Sequence, residues 1–77
     1  MDFTKMLYSH GVYWLFEIWN ERETNIVAKG KYQTREELKN SIGAELTDEM
    51  LDKAETQGQT YIGSDGLKRF VKFINNP

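Results

Sequence analysis

His10 is the single histidine of the chain, and it follows Ser9 directly. A histidine can activate a hydroxyl nucleophile when both side chains converge on one point. Adjacent residues point in different directions, and nothing in the surrounding sequence suggests a triad. The expectation is an exposed histidine at the edge of the first strand. Zinc needs three or four His, Cys or carboxylate ligands. One histidine and no cysteine make that improbable, so no metal or cofactor site is expected. Carboxylates are richer: Glu45, Asp48, Glu49, Asp52 and Glu55 crowd one segment. Paired carboxylates can do acid–base work, and oxygen ligands can hold calcium or magnesium. Here the spacing is helical, with Asp48, Asp52 and Glu55 at i, i+4 and i+7. A calcium loop needs alternating Asp/Asn and a central glycine, and this run has neither. The face reads either as solvated or as an acidic surface that steers a basic partner. Gly63-Ser64-Asp65-Gly66 is too short for a phosphate loop and reads as a turn.

Basic residues form a second candidate set. Arg35 and Lys39 lie on one predicted helix, and Lys68, Arg69 and Lys72 on the last segment. Together they offer a route for a nucleic-acid backbone. Aromatic residues form a third: Tyr8, Tyr13, Trp14, Phe16 and Trp19 fall within twelve residues. Such residues are enriched at interface hot spots.

These groups must be carried by local structure. Val12 to Trp19 is dense in aromatic and β-branched residues, which predicts a strand. Alternation places Val12, Trp14, Phe16 and Ile18 on one face, and Tyr13, Leu15, Glu17 and Trp19 on the other. Both faces are largely apolar, so the second needs a cover. Phe3, Met6 and Leu7 could supply it from a short helical turn; otherwise a second copy or a partner protein should. Asn20 to Asn25 is a polar hairpin loop, and Ile26 to Tyr32 resumes the alternation. Thr34-Arg35-Glu36-Glu37 is a capping box opening a helix that runs to about Ile42, where Gly43 ends it. Leu38 and Ile42 form its apolar stripe. Thr47 caps a second helix with Leu46, Met50, Leu51 and Ala54 as its core face, ended by Gly58. Gln59 to Gly63 read as a strand, and Asp65-Gly66 as a type I′ turn. Leu67, Phe70, Val71 and Ile74 have helical spacing, but the turn before them and their β-forming residue types favour a second hairpin. Asn75-Asn76-Pro77 reads as a frayed tail.

The expected fold is therefore α+β: a small antiparallel sheet of two β-hairpins, with two short helices between them packed on one face. With 77 residues, the whole chain 1–77 is read as one small domain. Ten basic residues against twelve acidic give a net charge of -2, which does not favour nucleic acid as a partner. By segment, residues 1–28 carry -2, 29–43 carry +2, 44–58 carry -4 and 59–77 carry +2. No apolar run approaches the ~20 residues of a membrane span. The start, Met1 to Lys5, lacks a basic region followed by a long apolar stretch, so no signal peptide is expected. A cytoplasmic location follows. A chain this short also has little room to hold a pocket open, which argues against an enzyme.

Thr34 to Gly58 resembles a helix-turn-helix, with the flanking hairpins in the place of a wing. That resemblance implies a DNA-binding regulator whose second helix reads bases with its first residues. Those positions here are Asp48, Glu49 and Asp52, which would repel phosphates. In size, composition and layout the chain resembles the short accessory proteins of bacteriophages and mobile elements. That resemblance implies a non-enzymatic inhibitor that binds and occludes a host factor, including a defence protein. The acidic helix (Glu45, Asp48, Glu49, Asp52, Glu55) would occupy a nucleic-acid-binding surface of that factor, with Tyr13 and Trp19 as anchors. The DNA-binding regulator, through Arg35, Lys39, Lys68, Arg69 and Lys72, is the alternative. A structural subunit that forms a homodimer through its first hairpin is a third.

Overall fold

A computed structural model of the chain describes residues 11–76. The predicted turn around Phe3, Met6 and Leu7, with Tyr8, Ser9 and His10, lies outside the described residues. Six elements follow in order: β1 (Gly11–Trp19), β2 (Ile26–Tyr32), α1 (Arg35–Ile42), α2 (Asp48–Ala54), β3 (Gln59–Ile62) and β4 (Lys68–Asn76). The strands form one antiparallel sheet in the order β2-β1-β4-β3. Each hairpin contributes one central and one edge strand. The chain leaves the sheet at one edge and re-enters at the other, so it must cross about three strand spacings of ~4.8 Å each. The two helices make that crossing, which is why they share one face.

The core lies between that face and the helices. Trp14 and Phe16 from β1 and Val71 from β4 meet Leu38 of α1, Leu51 and Ala54 of α2, and Leu46 of the link between them. Ile18, Tyr32, Ile42, Met50, Tyr61 and Phe73 pack around this cluster. Val12, expected with them, is 47% exposed at the start of β1.

Both helix starts use the predicted caps. Thr34 accepts a hydrogen bond from the Glu37 N–H at 3.1 Å, and Thr47 accepts one from Met50 at 3.2 Å. The Glu37 carboxylate reaches back to the Gln33 N–H at 3.1 Å, one residue earlier than a capping box requires. Gly43 closes α1 with φ of 100°. Thr34→Ala is expected to cost about 1 kcal/mol, read from the urea midpoint. A smaller loss than ~0.3 kcal/mol would show that α1 does not depend on its cap.

Three local expectations are corrected. Gly58 does not cap α2, which ends at Ala54. A Cβ at Gly58 would lie 2.2 Å from the Phe70 ring, so its function is close approach. The second hairpin loop is not type I′. Gly63 N–H donates to Leu67 O at 3.0 Å and Gly66 N–H to Gly63 O at 3.0 Å, leaving a three-residue loop. Gly66 has φ of 82°, whereas Asp65 does not take the positive φ that type I′ demands. The Asp65 carboxylate accepts the Leu67 N–H at 2.9 Å instead, which holds the turn. Finally, β4 continues through Asn76, paired with Gly11 of β1, where a frayed tail was expected.

Candidate functional site

The two charged sets read from the sequence meet each other. Arg35 on α1 donates to Asp52 at 2.9 Å and to Glu55, both on the α2 side. Lys39, one turn further, pairs with Asp48 at 2.8 Å. Lys53 lies 3.8 Å from Glu49 along α2. The acidic face and the basic face are thus neighbours that lace the helices together. Asp52 raises the Arg35 guanidinium, and Lys39 holds the Asp48 carboxyl below the usual range. These carboxylates remain open to water, with Glu49 at 82% side-chain exposure, but most of their charge has a local partner.

Glu45 and Arg69 belong to a different cluster. Arg69 is 9% exposed. Its guanidinium makes a two-pronged contact with Asp65, at 2.7 and 3.0 Å, and donates to the Leu67 carbonyl at 3.1 Å. Its Nε lies 3.6 Å from Glu45. The Tyr61 hydroxyl donates to the same Glu45 carboxylate at 3.3 Å. Arg69 holds Asp65 down at about 2, chiefly through its side-chain hydrogen bond. Burial, with Glu45 beside it, pushes Tyr61 up to about 12. A Cβ on Gly63 would lie 2.0 Å from the guanidinium, so a bare backbone there makes room for it. This cluster fastens the second hairpin loop to the segment leading into α2. Arg69 faces inward and does not present its charge to a nucleic acid.

Tyr13 also differs from its expected role. It lies on the face of the sheet opposite α1 and α2, yet it is 4% exposed, with the Lys31 ammonium 4.6 Å from its ring centre. Its ring is therefore not a surface anchor. Trp19 is half-buried at the far end of β1.

Trp19 does line a feature of the face opposite α1 and α2. A groove of about 330 Å³ is bounded by Glu17, Trp19, Glu23, Thr60, Lys68 and Phe70. The register explains the grouping. Glu17 of β1 is paired with Phe70 of β4, and Phe70 with Thr60 of β3, so the three point the same way. Glu23 sits in the first hairpin loop with φ of 57° and pairs with Lys68 at 3.1 Å. Asn20 fixes that loop by accepting the Thr24 N–H at 2.8 Å. Lys72 follows Phe70 by two residues and shares its face.

Sequence reasoning selected Trp19 and Lys68 but missed Glu17, Glu23, Thr60 and Phe70. One signal was present: Glu17 is the sole charged residue in the run Val12–Trp19, and it shares a face with Trp19. Phe70 is obscured because its segment has helical spacing beside the residue types that favour a strand. Among the described residues no group of three His, Cys, Asp or Glu side chains is placed to hold a metal ion. No helix among them is long and apolar enough to cross a membrane. Comparison with protein families, with curated proteins and with solved structures returns no match.

Proposed function

We propose that this chain is a non-enzymatic protein-binding module that acts by covering a partner's surface, with its recognition site on the face of the sheet opposite α1 and α2. The observation that carries this reading is the groove between Trp19 and Phe70, the pairing of β1, β4 and β3 having set two aromatic rings beside charged rims. Aromatic residues in a partly desolvated recess are the usual energetic centres of protein interfaces. The acidic helix is a weaker candidate, because Arg35, Lys39 and Lys53 already engage its carboxylates. The DNA-binding alternative loses support for the same reason: of its five basic residues, Arg35, Lys39 and Arg69 are tied in ion pairs and Lys68 is paired with Glu23. A cytoplasmic host factor is the partner that goes with the resemblance to phage accessory proteins.

The test is capture from a nuclease-treated bacterial lysate by three tagged forms: wild type, Trp19→Ala, and the triple reversal Asp48→Lys, Asp52→Lys, Glu55→Lys. The expected result is one stoichiometric protein, retained by the reversal and lost with Trp19→Ala. Capture that survives Trp19→Ala but not the reversal would return the site to the helix. Material that disappears with nuclease would favour the DNA-binding regulator.

A further inference from the structure

The two edges of the sheet are built differently. β2 carries Lys29 and Lys31 along its length. Lysine on an edge strand is a common guard against pairing with another chain. β3 is the other edge, and among the described residues it has a strand beside it on one side only, β4. Its residues Gln59, Thr60, Tyr61 and Ile62 carry no charge. Thr60, Tyr61 and Ile62 are of the types that favour strands. Ile62 is 65% exposed, the most open of the large apolar side chains among the described residues.

The ladder fixes which backbone groups face outward. Gly63 N–H donates to Leu67 O at 3.0 Å, and the same register pairs Tyr61 with Arg69 and Gln59 with Val71. Bonded and non-bonded pairs alternate along an antiparallel ladder. Gln59 and Tyr61 therefore turn their backbone groups towards β4, and Thr60 and Ile62 turn theirs away from it. The edge thus offers two N–H and two C=O groups with no charge beside them. A second β3, running antiparallel, offers the same groups in reverse order, which is the self-complementarity a twofold interface needs.

We propose that this chain forms a twofold dimer through β3, with Thr60 of each copy opposite Ile62 of the other and Tyr61 at the axis. That register uses every outward group of Thr60 and Ile62. A register centred on Thr60 would set Ile62 against Gly58, which lies outside the strand. The two sheets join into one, with the helices of both copies on the same side. The acidic side of α2 does not obstruct the seam. Asp48, Asp52 and Glu55 are turned towards Lys39 and Arg35 of α1, and α1 packs against β2 at the far edge. Thr60 also lines the groove, so the second copy's Ile62 extends that wall and two grooves lie on one continuous face. The dimer does not depend on what the groove recognises. Its seam is short, below the ~1,200 Å² of standard interfaces, so association is expected to be weak, half complete at about 0.1–1 mM.

The probe is the isotope-labelled full chain, followed by amide spectra and light scattering from about 20 μM to about 2 mM. The expected result is saturating shifts at Gln59–Ser64 with a rise towards twice the monomer mass. Mixed labelled and unlabelled chains should show a nuclear Overhauser contact between the Thr60 amide of one copy and the Ile62 amide of the other. Within one strand these amides are about two residue rises apart, too far to give it. Ile62→Lys places a charge on the edge and is expected to weaken association about tenfold or more. Its urea midpoint should not move, since Ile62 is 65% exposed. Thr60→Pro removes an outward donor and leaves the β3–β4 ladder intact, so it should cause the same loss. Absence of any concentration dependence would overturn the dimer. So would shifts centred on Trp19 and Val27, or full association by both variants. Capture of a partner through Trp19 would be untouched by any of these results.

Discussion

Trp14→Ala is expected to lower the unfolding free energy by about 3–5 kcal/mol, the range for removing a buried aromatic side chain. Trp14 is 4% exposed at the centre of β1. Its ring centre lies 5.0 Å from that of Phe73 on β4, and the Arg35 guanidinium approaches it to 5.4 Å. The residue thus joins the two central strands and supports the cation that binds α2. A chain of 77 residues has about 4–12 kcal/mol of total stability at ordinary per-residue values. The variant should therefore lose a large share of its stability, which far-UV circular dichroism in a urea series will show as a lowered midpoint. Trp19→Ala provides the contrast. Trp19 is half-buried on the opposite face, and its loss should leave a cooperative transition. Similar midpoints for the two variants would mean that the faces of β1 have been assigned wrongly.

Removal of Arg69 is the second large effect. Arg69→Met is expected to cost about 2 kcal/mol, as loss of charged hydrogen bonds commonly does. The cost stays below that of stranding a buried charge, because Asp65 and Glu45 remain 47% and 34% exposed. Arg69→Lys should recover only part of it, since an ammonium cannot fork across both Asp65 oxygens. Gly63→Ala is expected to act like a weaker form of the same change by displacing the guanidinium.

The same cluster predicts two pH responses. Asp65 is held at about 2 in the folded protein against 3.8 for the free side chain. Its contribution is complete above pH 3.8 and declines as pH falls towards 2. Tyr61 is raised from 10.0 to about 12, so its contribution is complete below pH 10.0 and declines as pH rises towards 12. In Arg69→Met the acid decline attributable to Asp65 should flatten, and in Tyr61→Phe the alkaline one should. Unchanged pH profiles in both would show that Glu45, Tyr61, Asp65 and Arg69 do not act as a cluster.

Much of the fold was legible because its signals are local. Thr34 and Thr47 mark helix starts through short hydrogen bonds to their own backbone, and the alternation from Val12 to Trp19 has the period of a strand. The ambiguous segment after Asp65-Gly66 resolves as a strand because β1 needs a partner on its second edge. The site was far less legible. Whether a charged side chain is spent inside the molecule depends on which helix faces which. Arg35 and Asp52 are 17 positions apart, and nothing in their spacing announces a pair. Arg69 looked like a surface cation until the loop folded Asp65 onto it. The groove joins β1, β3, β4 and a loop residue with positive φ, a grouping that appears only once strand order and register are known.

Recognition is assigned to the face of the sheet opposite α1 and α2. Hydrogen–deuterium exchange of the captured complex, compared with the free chain, tests it most directly. New protection is expected at Glu17–Glu23, Thr60 and Lys68–Phe70, with Asp48–Glu55 unchanged. Protection confined to Thr47–Glu55 would contradict it and place the function on the acidic helix.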